Sequence, residues 1–85
     1  MAKVVMYTTG LCPYCHAAKQ LFKSKNVSFD EIRVDRDPAK RAEMMKRSNR
    51  RTVPQIWVGQ THVGGYDDAA ALESQGRLDN LLKEQ

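Results

Sequence analysis

Residues 8–19 read TTGLCPYCHAAK, and the short run Lys3 to Tyr7 (KVVMY) stands directly before them. Val4, Val5 and Met6 form an uninterrupted apolar run, the pattern of a strand covered on both faces. From Pro13 to about Lys25, the residues Tyr14, Ala17, Ala18, Leu21 and Phe22 recur at helical spacing. Pro13 suits the first helical position, where a missing N–H costs nothing, and Asn26 is a stop signal. Cys12 and Cys15 therefore fall where a strand hands over to a helix, a natural ligand position in an open α/β sheet.

Downstream, Val27 to Val34 carries Phe29, Ile32 and Val34 and reads as a second strand. Asp37-Pro38 starts a helix, with Asp as cap and Pro in the first turn. That helix runs to about Ser48, with Ala42 and Met45 expected inward and Glu43 paired with Arg47 one turn on. Asn49-Arg50-Arg51 breaks it. Residues 55–63 read as a hairpin: Gln55 to Val58, a turn at Gly59-Gln60, and a return over Thr61 to Val63. Gly64-Gly65 ends the sheet. Asp67 or Asp68 is expected to cap a last helix carrying Ala71 and Leu72, which Gly76 interrupts before Leu78, Leu81 and Leu82.

The order strand, helix, strand, helix, strand, strand, helix combines a right-handed crossover with an antiparallel hairpin. It predicts an α/β fold with a four-stranded mixed sheet and helices on both faces. With 85 residues the chain has material for one core, so residues 1–85 are expected to form a single domain. The opening MAKVVMYTTG has neither the layout of a signal peptide nor the length of a membrane span, and a cytoplasmic protein is expected. The net charge of +4 comes largely from Lys40, Arg41, Lys46, Arg47, Arg50 and Arg51. No aromatic residues interleave with them, which points to a solvated helix face rather than a nucleic-acid surface. No membrane partner is expected either, and a monomer is.

Cys12-Pro13-Tyr14-Cys15-His16 admits three chemistries. As Cys-x-x-Cys-His it matches covalent haem attachment, which requires export in most organisms and a haem pocket that the sheet-rich segment 27–63 does not suggest. As half a zinc site it lacks partners, because only His16 and His62 remain as soft ligands. As a redox pair it fits its position. Unpaired N–H groups and the helix dipole stabilise a thiolate at Cys12. Cys15, one turn in, is placed to resolve a disulfide. His16 is expected on the helix surface, facing away from Cys12. Tyr7 is expected in the core.

The chain also resembles the dithiol glutaredoxins of the thioredoxin superfamily, and within them the small bacterial glutaredoxin 3 group. CPYC is similar to their active-site motif. TVPQIWV (52–58) and GGYDD (64–68) are similar to two further signatures in the same order, so the likeness spans essentially the whole chain. The resemblance implies a thioredoxin fold with Pro54 in the cis form and a glutathione-dependent thiol–disulfide oxidoreductase. Cys12 would be the nucleophile and Cys15 the resolving thiol. Its substrates would be glutathionylated and disulfide-bonded proteins. Glutathione would be a co-substrate, with no permanently bound cofactor and no metal. Tyr14, Thr52, Val53, Pro54, Gly65, Tyr66, Asp67 and Asp68 would contact glutathione. Many relatives carry Lys where this chain has Thr9, and Arg50 and Arg51 are candidates to replace that charge. Two alternatives stay open: an iron–sulfur carrier bridging two chains through Cys12, and a reductant of the thioredoxin type.

Overall fold

Val4 and Met6 pack to one side of the first strand and Val5 and Tyr7 to the other, and this alternation organises the molecule. The computed structural model describes residues 2–83; Met1, Glu84 and Gln85, the ends of the expected 1–85 domain, lie outside the described residues. The elements are β1 (Val4–Thr8), α1 (Pro13–Ser24), β2 (Asp30–Arg33), α2 (Pro38–Ser48), β3 (Gln55–Val58), β4 (Thr61–Gly64), α3 (Tyr66–Ser74) and α4 (Leu78–Lys83). The sheet order is β2-β1-β3-β4. β1 pairs parallel with β2 and antiparallel with β3, and β3 pairs antiparallel with β4. The expected four-stranded mixed sheet and thioredoxin-type arrangement are therefore present.

The larger core lies on the face where Val4, Met6, Ile56 and Val58 meet Ala18 and Phe22 of α1, Ala69 of α3, and Leu78 and Leu82 of α4. On the opposite face Tyr7, Val34 and Trp57 pack with Met44 of α2. Tyr7 is the core residue expected, and its hydroxyl is satisfied there. It donates to Glu43 Oε2 at 2.7 Å and accepts from Arg47 Nη1 at 2.8 Å. Burial first, and then the bond to Glu43, push the Tyr7 phenol above its ordinary value, so it remains the donor.

Four expectations need correction. Glu43 and Arg47 do meet one turn apart, but through the Tyr7 hydroxyl rather than directly. In α2 the inward residue is Met44, fully buried; Met45 is half-buried and Ala42 exposed. The face of α2 that packs on Tyr7, Val34 and Trp57 is the one carrying Met44, so its buried positions are Met44 and Ser48, one turn apart. The second strand is confined to Asp30–Arg33; Val27 and Phe29 join the core from the connection that precedes it. The N-cap of the last helix is Gly65, while Asp68 contributes to the cap from inside the first turn by accepting from the Gly65 N–H, and Gly76 (φ +71°) divides the helix into α3 and α4.

Helix ends match the sequence signals elsewhere. Asn26 and Asn49 take the left-handed conformation (φ 59° each) at the ends of α1 and α2. Asp37 caps α2, its Oδ1 accepting from the N–H groups of Ala39 (3.1 Å) and Lys40 (3.2 Å). Asp37→Ala is expected to lower stability by about 1 kcal/mol, read as a shifted urea midpoint with an unchanged slope.

Candidate active site

Cys12 is the N-cap of α1, with extended backbone (φ −145°, ψ 101°). Pro13 occupies the first helical turn, and the Cys12 carbonyl accepts from the His16 N–H at 3.0 Å. The cap is made by sulfur: Cys12 Sγ accepts from the Cys15 N–H at 3.1 Å, where Ser, Thr or Asp would usually offer oxygen. The thiol also faces the Val53 carbonyl at 3.8 Å, 41 positions away in sequence. Both cysteines are free thiols, and they differ in access. Cys12 is partly exposed, whereas Cys15 is 1% exposed. Burial first, and then the contact with Cys12, push the Cys15 thiol up to about 12; a backbone contact from Thr9 and the charge of Lys19 offset part of this. His16 is exposed, as expected.

The loop before Cys12 is tied down from β2. Arg33 and Asp35 form a two-point ion pair (2.9 and 2.7 Å), and Asp35 Oδ2 accepts from the Gly10 N–H at 3.1 Å. These contacts, Arg33 first and the Gly10 N–H next, hold the Asp35 carboxyl well below the usual carboxylate range. A β-carbon at residue 10 would meet the Arg33 guanidinium, which would have to swing aside and disturb its pairing with Asp35.

Beside Cys12 runs a groove of about 290 Å³ lined by Tyr14, Arg50, Thr52, Val53, Pro54, Gly65, Tyr66, Asp67 and Asp68. All eight residues expected to contact glutathione line it, drawn from α1, the segment before β3, and the start of α3. The Val53–Pro54 peptide is cis, as expected. The Tyr14 and Tyr66 rings stack across the groove with centroids 6.5 Å apart. Asp68 Oδ2 accepts from the Gly65 N–H (2.9 Å) and from Arg50 Nη1 (3.0 Å). These two contacts, in that order, hold the Asp68 carboxyl below its ordinary value. Gly64 (φ +111°) lies so close that a β-carbon there would collide with that carboxylate. A larger hollow of about 610 Å³ between β4, α3 and α4 contains neither cysteine.

The glutaredoxin family model matches residues 4–63, the span from β1 through most of β4. The chain belongs to the glutaredoxin family. It is 57% identical over 83 residues to glutaredoxin 3 of Escherichia coli K12, covering 98% of this chain and all of that one. A Brucella melitensis glutaredoxin structure superposes with a TM-score of 0.87 at 52% identity, covering 98% of this chain and 90% of that one. A buckwheat glutaredoxin–glutathione complex superposes with a TM-score of 0.90 at 28% identity, covering 98% and 78% of the two chains.

Of the two arginines expected to offset Thr9, Arg50 lines the groove of this glutaredoxin. Arg51 is exposed, and its carbonyl accepts from Arg41 Nη2 at 3.5 Å. Sequence reasoning missed Gln55, which is fully buried and donates through Nε2 to the Thr52 carbonyl (3.0 Å) and hydroxyl (3.2 Å). The signal was present, since a polar residue heading an otherwise apolar strand is an informative exception. Among the described residues, no cluster of three His, Cys, Asp or Glu side chains is placed to hold a metal ion, and no helix is long and apolar enough to cross a membrane.

The difference between the two thiols is directly testable. Each unit of pH below about 12 cuts the Cys15 thiolate fraction about tenfold, and burial adds a steric barrier. Brief iodoacetamide treatment near neutral pH is expected to give one adduct by mass spectrometry, on Cys12. Equal labelling of both cysteines would overturn the assignment.

Proposed function

We propose that this glutaredoxin reduces glutathione mixed disulfides through Cys12, and protein disulfides through Cys12 and Cys15 together. It is a glutathione-dependent thiol–disulfide oxidoreductase by family membership and by its likeness to glutaredoxin 3. The observation that carries the division of labour is the contrast between Cys12, capping α1 at the edge of the groove, and Cys15, buried one turn in.

In the first reaction the Cys12 thiolate attacks the glutathione sulfur of a protein–glutathione disulfide. The old S–S bond breaks, the protein leaves as a thiolate that takes up a proton, and Cys12 carries glutathione. A second glutathione thiolate attacks that sulfur, releasing glutathione disulfide and restoring the Cys12 thiolate. With a protein disulfide, Cys12 forms a mixed disulfide with one protein sulfur and frees the other. Cys15 then gives up its proton and attacks Cys12. The protein leaves reduced, and two glutathione molecules reduce the Cys12–Cys15 bond. Forming the mixed disulfide removes the Cys12 thiolate, and with it the part of the Cys15 shift that Cys12 causes. Cys15 thus becomes easier to ionise when its turn comes.

The groove fits a short extended peptide. Val53 presents backbone groups beside Cys12, against which the cysteinyl part of glutathione would pair as an added strand. Asp68 already occupies the Gly65 N–H, which leaves the N–H groups of Tyr66 and Asp67 at the start of α3 for the γ-glutamyl carboxylate. The exposed Asp67 carboxylate is placed for the amino group. The Arg50–Asp68 pair is roughly half-exposed and therefore weak, so Arg50 can turn to a ligand carboxylate at little cost. The bound glutathione in the buckwheat relative supports this use of the groove. A monomer in a reducing, glutathione-rich compartment such as the cytoplasm suits the reaction.

Cys12→Ser is expected to abolish turnover of a small glutathione mixed disulfide, in an assay coupled to glutathione reductase. Cys15→Ser keeps that activity and loses most protein-disulfide reduction. Full activity in Cys12→Ser would refute the scheme. Charge reversal separates the arginines. Arg50→Glu is expected to raise KM for the mixed disulfide roughly tenfold, whereas Arg51→Glu leaves it within about twofold; equal effects would mean that Arg50 has no special place in the groove.

A further inference from the structure

The segment Thr52–Pro54 forms one wall of the groove yet belongs to no strand or helix. Gln55, the first residue of β3, ties it to the sheet. Gln55 Nε2 donates to Thr52, lying 3.0 Å from its carbonyl and 3.2 Å from its hydroxyl. The Thr52 carbonyl can only accept, so the amide orientation is fixed, and Gln55 Oε1 must face the other way. It meets His62 Nε2 at 2.8 Å. An amide oxygen donates nothing, so His62 has to supply the proton and its neutral ring carries hydrogen on Nε2.

His62 is held in its turn. It lies opposite Trp57 across the β3–β4 pair and stacks on the indole with centroids 4.5 Å apart and planes 29° apart. The Arg47 guanidinium sits 4.3 Å from the Trp57 ring centroid, and Tyr7 meets the indole edge-on at 5.3 Å. Gln55 is 0% exposed, and a buried amide that loses one partner leaves an unpaired polar group in the core. Its remaining freedom is to rotate, and rotation releases Thr52.

We propose that His62 is a positioning residue for the glutathione groove: it locks the Gln55 amide, and through it the Thr52–Val53–Pro54 wall against which the tripeptide lies. This rests on the use of the groove put forward above. His62 touches neither Cys12 nor the ligand, so its effect falls on substrate binding and not on the thiol.

His62→Phe keeps an aromatic ring for Trp57 but has no N–H; His62→Gln keeps an amide donor. In the coupled assay with a small glutathione mixed disulfide, His62→Phe is expected to raise KM roughly five- to tenfold. Its kcat and the rate of Cys12 alkylation by iodoacetamide stay near wild type, and His62→Gln restores KM to within about twofold. Folded His62→Phe with a wild-type KM overturns the proposal while the groove reading stands; absence of mixed-disulfide turnover in the wild-type protein overturns both. Should His62→Phe not fold, the wild-type protein still decides. Its His62 ring is expected to show a protected Nε2–H signal by 15N NMR that shifts on adding S-methylglutathione. A proton on Nδ1, or a signal that the tripeptide leaves unmoved, overturns the proposal.

Discussion

An N-cap side chain ordinarily offers an oxygen to the unpaired N–H groups at the start of a helix. Here a sulfur holds that place, and the rest of the site depends on it. The same N–H that Cys12 satisfies belongs to Cys15, so the contact that starts α1 also fixes one cysteine against the other. The side chain proposed as nucleophile is thus also the one that caps α1, and both parts rest on a single contact. Pro13 reinforces it, because it preorganises the turn and brings no N–H of its own to compete.

Two identical side chains then acquire different chemistry from their surroundings alone. Cys12 stands at the edge of the groove with solvent on one side. Cys15 is turned into the protein, where burial disfavours its charged form. Burial is the larger part of what holds Cys15 protonated, and the contact with Cys12 adds to it.

The groove is assembled from segments with separate anchors. The loop before Cys12 hangs on Asp35, the Thr52–Pro54 wall hangs on Gln55, and the start of α3 hangs on the Asp68–Gly65 contact. Each anchor is a side chain closing onto backbone, which holds irregular chain in place without lengthening a strand or helix. The Arg50–Asp68 ion pair beside them is roughly half-exposed and therefore weak.

Local patterns carried much of this. The apolar run in Lys3 to Tyr7, the Pro13 and Asp37-Pro38 helix starts, the Asn26 and Asn49 stops and the Gly59 turn are local signals, and they are legible in order along the chain. CPYC, TVPQIWV and GGYDD pointed to the groove residues, and the fold brings all eight together. What the chain could not announce are contacts across long separations. Glu43 and Arg47 meet through Tyr7, 36 and 40 positions away, and Arg50 finds Asp68 18 positions on. Met44 faces inward rather than Ala42 because the sheet dictates how α2 lies on it. Even within the β3–β4 hairpin, the register that sets His62 opposite Trp57, and so lets it reach Gln55 seven positions back, is a property of the folded pair. Sequence by itself determined the order of the elements and the placing of the two cysteines at the start of α1, since these follow from neighbours within a turn or a strand. Tertiary structure alone decided which charges, amides and rings meet, because those partners become neighbours only when the sheet has closed.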